Sequence, residues 1–256
     1  MTPARGPIII AAMSGHSHWA TIKHKKGAAD ARRGKLWSKL SRAIQIAAKE
    51  GGGNPDMNIK LQNAIEDARA ESVPSVNIER SIKRGTGELE GVSYEQVTYE
   101  GYGPGGTAIM VDALTDNKNR SAAEMRKMFE HSGGNLGGAR SVAFMFHPKG
   151  AVTIAVSAAG EDQMMNDVLE SGAENMETTG DIYYITCAVP DFEKVKKELA
   201  KKYKLASSEI SMIAKDPVKV DEETGRKILN LMEALDDSED VQKIYTNFIL
   251  PDALLK

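Results

Sequence analysis

The sequence predicts a multi-domain α+β protein, with an N-terminal three-helix bundle followed by two α/β sandwich modules, one of them ferredoxin-like. Three observations carry this. Between residues 28 and 85 apolar side chains recur at steps of three and four in three runs separated by glycine- or proline-containing breaks. From residue 92 onward strand-like runs alternate with helical ones. Within residues 141–214 the expected order is ββαβαβ, close to a ferredoxin-like unit. A chain of 256 residues is long enough for two or three domains, and a composition that is 41% hydrophobic and 27% charged is that of an ordinary globular protein.

Residues 1–12 have no periodic pattern and read as a tail, or as the product of an upstream start, outside the fold. Gly15–Gly27 has histidines, lysines and a tryptophan without apolar spacing, so residues 1–27 are expected to form a flexible extension and basic arm that orders on its target. From Ala28 the pattern turns helical, with Leu36, Leu40, Ala43, Ile44 and Ala47 on one face. Lys35, Lys39, Arg42 and Lys49 fall within about 80° of one another beside that face, forming a basic stripe. Gly51–Gly53 ends the helix. Asn54 reads as the N-cap of the next, with Pro55 in its first turn and Met57, Leu61, Ala64, Ile65 and Ala68 on its apolar face. Ser72-Val73-Pro74 breaks it, and a third helix carrying Ile78 and Ile82 stops at Gly85, a residue suited to a left-handed C′ position.

Val92–Glu100 and Thr107–Leu114 read as strands joined by Gly101–Gly106. Arg120–His131 reads as a helix with Ala123, Met128 and Phe129 among its buried side chains. Ser141–Phe146 and Ala151–Val156 flank His147-Pro148-Lys149-Gly150, which has the composition of a hairpin turn. Helices over Glu161–Ser171, Phe192–Tyr203 and Asp221–Leu235 then alternate with strands over Asp181–Ala188, Glu209–Ile213 and Val241–Phe248. Residues 28–85 are thus expected to form the bundle, and 92–140 with 215–256 a discontinuous α/β domain. The ferredoxin-like unit, 141–214, is expected as an insertion in that domain.

Charge is segregated along this chain. Ser14–Lys49 holds Lys23, Lys25, Lys26, Arg32, Arg33, Lys35, Lys39, Arg42 and Lys49 against the single acid Asp30, although the whole chain sums to −3. A basic head on an acidic body points to a polyanionic partner, because like charges at this density repel until phosphates neutralise them and counterions are released. One cysteine, Cys187, excludes an internal disulfide framework and multi-cysteine metal sites and fits a cytoplasmic protein. The apolar run Ile8–Met13 is too short for a signal peptide or a membrane span, so no membrane partner is expected.

The remaining motifs have plain readings. Gly101-Tyr102-Gly103-Pro104-Gly105-Gly106 fits G-x-G-x-x-G, but a strand-like run follows it where a dinucleotide site needs a helix, so it reads as a tight connection. Gly133-Gly134-Asn135-Leu136-Gly137-Gly138 ends a helix first, although its amides are of a kind that cradles phosphate. His16, His18 and His24 lie among cations without a carboxylate or thiol nearby, so neither metal nor other cofactor is expected. Trp19 has two open readings, as a platform for an unpaired base or as an anchor of the bundle. Cys187 lies mid-strand, His131 and His147 have no acid beside them in sequence, and Glu222, Glu223, Asp236 and Asp237 read as solvated helix surface. No catalytic constellation can be assembled, and the protein is expected not to be an enzyme.

Several stretches resemble the YebC family. They are Gly15–Lys26 (GHSHWATIKHKK), Asn77–Gly87 (NIERSIKRGTG), Tyr99–Gly106 (YEGYGPGG), Asp116–Arg120 (DNKNR) and Gly133–Gly137 (GGNLG). The likeness extends over Met13–Lys256, with His18 at a position where the family more often has lysine. It implies an N-terminal helical bundle followed by two α/β modules, and a usual start near Met13. It also implies a regulator of gene expression. Some members of the family are described as DNA-binding transcriptional regulators, and others as ribosome-associated factors, among them the mitochondrial translational activator of cytochrome c oxidase. The expected partner is therefore nucleic acid, either DNA or ribosomal RNA or tRNA on the ribosome. The expected contacts are His16, Trp19, Lys23, His24, Lys25, Lys26, Arg32, Arg33, Lys35, Lys39 and Arg42, extended by Arg80, Lys83 and Arg84.

Overall fold

The computed structural model describes residues 30–254. In chain order the first elements are α1 (Asp30–Gly51), α2 (Ile59–Ala70), α3 (Ser75–Gly85), β1 (Glu95–Tyr102), β2 (Ala108–Thr115), α4 (Lys118–His131) and β3 (Asn135–Leu136). They are followed by β4 (Phe146–Ala155), α5 (Glu161–Ser171), β5 (Asn175–Thr179), β6 (Ile182–Cys187), α6 (Phe192–Lys202) and β7 (Leu205–Ala214). Last come β8 (Val218–Lys219), α7 (Glu222–Asp237), β9 (Val241–Thr246) and β10 (Phe248–Ile249). Among the described residues, one compact unit comprises 30–143 and 226–244 and the other 144–225 and 245–254. The protein is α+β with several sheets, as its sequence predicts. No described helix is long and apolar enough to cross a membrane.

In the first unit α1, α2 and α3 pack around Ile44, Leu61, Ile65, Ala68, Val73 and Ile78, with Trp37 and Leu40 at the edge. The cap of α2 lies four residues later than its sequence suggests. Asn58 Oδ1 accepts from Leu61 N at 3.1 Å, while its Nδ2 donates to the Ala47 and Gly52 carbonyls, so one buried amide caps α2 and ties it to the end of α1. Asn54-Pro55-Asp56 forms a turn instead, and Met57 is exposed rather than part of the apolar face.

Gly85 is helical, and the left-handed residue is Gly87, with φ of 82°. The role of Gly85 is close approach, since a Cβ there would sit 2.4 Å from the Gln45 carbonyl oxygen of α1 and 2.8 Å from Ala48 Cβ. Gly85→Ala is expected to lower stability by about 1–2 kcal/mol, the overpacking strain exceeding the better helix propensity of alanine. An unchanged or higher urea midpoint would contradict that contact.

The sheet of this unit has the order β3-β1-β2-β9. The connection from β1 to β2 is tight, with Gly105 and Gly106 at φ of 71° and 73°, so the G-x-G-x-x-G stretch begins as the paired end of β1, Gly101-Tyr102, and continues as a turn. On α4 Met125 and Phe129 are fully buried, Met128 is half-buried and Ala123 is exposed, contrary to its expected burial.

The second unit departs from the expected order ββαβαβ and still arrives at the expected ferredoxin-like class. His147-Pro148-Lys149-Gly150 is not a turn: it lies inside β4, paired with Ile213, Met212, Ser211 and Ile210 of β7. Pairing with β6 begins only at Gly150, so Pro148 has a strand on one side alone, where proline is tolerated. Ser141–Phe146 forms no strand beyond Phe146. The missing strand is β5, which pairs with β6 across a two-residue turn at Gly180-Asp181. The resulting order, βαββαβ with strands arranged β5-β6-β4-β7, is that of a ferredoxin-like sheet. Its core joins Val152, Ile154, Tyr183 and Ile185 to Met164, Val168, Val195 and Leu199 of α5 and α6. Leu205–Ala214 is longer than its expected strand and begins four residues earlier.

Candidate nucleic-acid interface

The expected contacts His16, Trp19, Lys23, His24, Lys25 and Lys26 lie outside the described residues, as does the side chain of Arg32. Arg33 is exposed on the first turns of α1. Lys35, Lys39 and Arg42 of the α1 stripe have a partner that their local sequence does not announce, the acidic end of α7 and the turn into β9, whereas Lys49 Nζ donates to Ser93 Oγ at 2.9 Å. Lys35 Nζ lies 3.7 Å from Asp237 Oδ1, and Lys39 Nζ lies 3.6 Å from Asp236 Oδ1 and 2.6 Å from the Asp236 carbonyl oxygen. Arg42 donates from Nη2 to Glu239 Oε2 at 2.8 Å and from Nη1 to Asp240 Oδ1 at 2.7 Å, with its guanidinium 5.0 Å from the Tyr94 ring centre. Asp236 and Asp237 are therefore not a merely solvated surface. They and Glu239 and Asp240 neutralise Lys35, Lys39 and Arg42 from within the chain.

Asp240 is the fixed point of this contact. Its side chain is 6% exposed, and its second oxygen, Oδ2, accepts from Arg120 Nη2 at 2.8 Å. Burial by itself would raise the Asp240 carboxyl; hydrogen bonds from Arg120, Thr115 and Arg42 outweigh it and hold the carboxyl below the usual range. Arg120 also meets Asp116 and Glu124, and Asn117 Oδ1 caps α4 by accepting from Arg120 N. The same few residues thus start a helix and deliver a guanidinium to Asp240.

On α3 the surroundings differ. Arg80, Lys83 and Arg84 are exposed, spaced so that they share one face, and make no ion pair among the described residues. The apolar face of the helix, with Ile78 buried and Ile82 half-buried, turns the other way. These three cations are held out by a packed helix with their charges uncompensated.

The glycine-rich stretches serve the scaffold. A Cβ on Gly134 would stand 2.4 Å from the Tyr102 carbonyl oxygen, so glycine lets the loop after α4 lie against β1. Gly134 N donates to the Phe129 carbonyl and Gly137 N to that of Glu100, leaving those amides committed to the protein. Glu100 itself is buried in β1. Its Oε1 accepts from Arg140 N at 2.7 Å, and its Oε2 from Val142 N at 2.8 Å and Ala143 N at 2.7 Å. Burial would raise this carboxyl, but the three amides outweigh it and hold it low. No sequence signal nearby announces this clasp, because its donors lie forty residues and more downstream.

Cys187 is buried in β6 and its thiol is pushed up by burial and by the nearby carboxylates of Glu174 and Asp191, which disfavours the thiolate a nucleophile needs. A groove of about 880 Å³ between α4 and α7 is lined by Lys127, Met128, His131, Lys227 and Asn230, among others. The His131 side chain has neither ion pair nor hydrogen bond among the described residues.

Two family models match the chain, the TACO1/YebC protein N-terminal domain over residues 17–88 and the TACO1/YebC second and third domain over residues 94–248. The chain belongs to the YebC family. Among its relatives, a protein of Dictyoglomus turgidum is 52% identical over 246 residues, covering 95% of this chain and 99% of that protein. One from Treponema pallidum is 48% identical over 244 residues, covering 95% and 100%. Both are named probable transcriptional regulatory protein. The crystal structure of a conserved hypothetical protein from Aquifex aeolicus matches with a TM-score of 0.84 at 41% identity, covering 93% of this chain and 99% of that one.

The motifs that mark the YebC likeness in this chain divide by physical role. Tyr99–Gly106 supplies the Glu100 clasp and a tight turn, Asp116–Arg120 supplies the Asp240 partner, and Gly133–Gly137 supplies close packing. Asn77–Gly87 presents Arg80, Lys83 and Arg84 to solvent.

Proposed function

We propose that this YebC-family protein is a non-enzymatic, cytoplasmic regulator of transcription that binds DNA through its basic N-terminal domain. In this reading His16, Trp19, Lys23, His24, Lys25, Lys26, Arg32 and Arg33 contact the nucleic acid, together with Lys35, Lys39 and Arg42 and with Arg80, Lys83 and Arg84 of α3. The observation that carries it is the exposed, uncompensated trio on α3, in a domain whose sequence is dense in cations. Exposed cations without counter-charge gain most from phosphates, because each contact releases a condensed counterion. The names of the relatives support the transcriptional role.

The test is a triple charge reversal, Arg80→Glu, Lys83→Glu and Arg84→Glu. Thermal unfolding should be little changed, since exposed positions away from packing shift stability by roughly half a kcal/mol or less. Affinity for a labelled DNA duplex should fall, and the logarithmic salt slope should become shallower by about 2–3, one unit or slightly less per lost phosphate contact. Unchanged affinity and slope would remove α3 from the interface. Binding of structured RNA in preference to the duplex would redirect the reading to the ribosome. Lys39 and Arg42 are unsuited to this test, because reversing either sets like charges against Asp236 or Asp240.

A further inference from the structure

We propose that the acidic end of α7 is a built-in competitor for the phosphates that the α1 stripe would bind, an electrostatic latch that a nucleic-acid ligand must displace. The inference rests on the nucleic-acid-binding reading above and adds a means of regulation to it. Asp236 and Asp237 stand in the last turn of α7, a turn without a basic residue. Carboxylates there face the negative end of the helix dipole and are disfavoured locally. Their compensation lies across the unit, where Lys39 and Lys35 meet them at 3.6 Å and 3.7 Å and Glu239 closes on Arg42 at 2.8 Å. A row of carboxylates offers the stripe the same sign and hydrogen-bonding character as a row of phosphate oxygens.

The contact is graded. At one end Arg42 and Asp240 are both largely withdrawn from water, with side chains 13% and 6% exposed, and form the permanent joint. At the other end Lys35 and Asp237 are about half exposed, so water and salt screen them and their pairing is readily exchanged. Asp237 and Glu239, about half exposed, are thus the readily released part, with the Lys39–Asp236 pair, 12% and 29% exposed, intermediate between the two ends. While they hold the stripe, part of its charge is unavailable, and apparent affinity for a polyanion falls by the fraction of molecules in the closed state. A ligand opens the latch only to the extent that it binds the freed stripe better than the paired one.

The experiment uses the full chain carrying Asp236→Asn, Asp237→Asn and Glu239→Gln, with Asp240 intact. A control carries Glu66→Gln, Glu90→Gln and Glu130→Gln, exposed acids without ion pairs among the described residues, and so matches the change in net charge. Two probes are titrated across salt concentrations: a labelled mixed-sequence DNA duplex, and inorganic polyphosphate, which has no bases. The latch variant is expected to bind on the order of tenfold more tightly than wild type at about 0.1 M salt, with a steeper salt slope, while the control gains markedly less. Equal gains in variant and control, or no gain with either probe, would overturn the latch. If wild type binds the duplex and loses that binding on reversal of the α3 cations, but neutralisation gives no gain, the latch fails and the DNA reading stands. If polyphosphate shows the specific gain while no protein binds the duplex, the DNA reading fails and the latch stands.

Discussion

Asp240→Ala is expected to lower the stability of the first unit by about 3 kcal/mol, the lower end of what removing one member of a buried, hydrogen-bonded ion pair costs. The cost arises at the guanidiniums left behind. Arg42, with a side chain 13% exposed, loses its 2.7 Å partner where water replaces the carboxylate poorly, while Arg120, 45% exposed, loses its 2.8 Å partner and recovers part of the loss from water. The lower end applies because Arg42 keeps Glu239 and Arg120 keeps Asp116 and Glu124. Asp240→Asn preserves size but removes the charge and turns an NH₂ group toward Arg42 or Arg120, donor against donor, so comparison with wild type reads charge and hydrogen bonding together, apart from packing. Since the folded carboxyl is held below its unfolded value, its contribution is fully present above the unfolded value of about 3.9 and disappears as pH falls through the folded value. Urea midpoints of wild type and Asp240→Asn should therefore differ at neutral pH and converge in strong acid. A gap that persists unchanged at low pH would assign the role of Asp240 to packing rather than charge.

What the sequence disclosed divides along the same line as these interactions, local against long-range. The helices were legible because their signals are local: three- and four-residue apolar spacing fixes α1 by Ile44 and Ala47, and α5 is bounded by Glu161 and by Gly172 at φ of 89°. Element order alone implied a ferredoxin-like sheet. The two errors within it compensated, because a false hairpin at Pro148 added one strand and the overlooked β5 removed one. Pro148 misled because whether a proline ends a strand or sits on its edge depends on which neighbour pairs there, and β7 lies more than fifty residues away in sequence. The signal for β5 was present in Gly180-Asp181, a two-residue turn between runs rich in threonine, tyrosine and isoleucine.

Charge was legible as a sum and illegible as a set of pairs. The excess of cations in residues 14–49 is plain in the sequence, and so is the acidic run from Asp236 to Asp240. That the second compensates part of the first is a tertiary fact, and it changes which cations serve best as a test of binding. Lys39 and Arg42 look like the centre of a stripe when a helix is considered by itself. Once α7 is packed, the α3 trio of Arg80, Lys83 and Arg84 is the better-exposed probe, and Lys39 and Arg42 of the α1 stripe are already paired within the chain.

Glu100→Ala is expected to cost about 3 kcal/mol or more, from the loss of charge-assisted hydrogen bonds to three backbone amides, each in the range of about 1.5–3 kcal/mol before water compensates the exposed ones. Val142 N is the donor that water replaces worst, since Val142 is fully buried. Glu100→Gln separates this clasp from a simple packing role. A carboxylate accepts on both oxygens, whereas an amide must present its NH₂ group either to Arg140 N or to the pair Val142 N and Ala143 N, setting donor against donor. Glutamine should therefore destabilise nearly as much as alanine despite its matching size. The low-held carboxyl gives the wild type an acid-sensitive term of the same sign as that of Asp240, present above the unfolded glutamate value and lost as pH falls below it. Amide hydrogen exchange provides the local readout, with Val142 and Ala143 losing protection in both variants. A glutamine variant as stable as wild type, with those amides still protected, would mean that Glu100 fills space in β1 and that Arg140, at φ of 65°, is held in its left-handed conformation by other contacts.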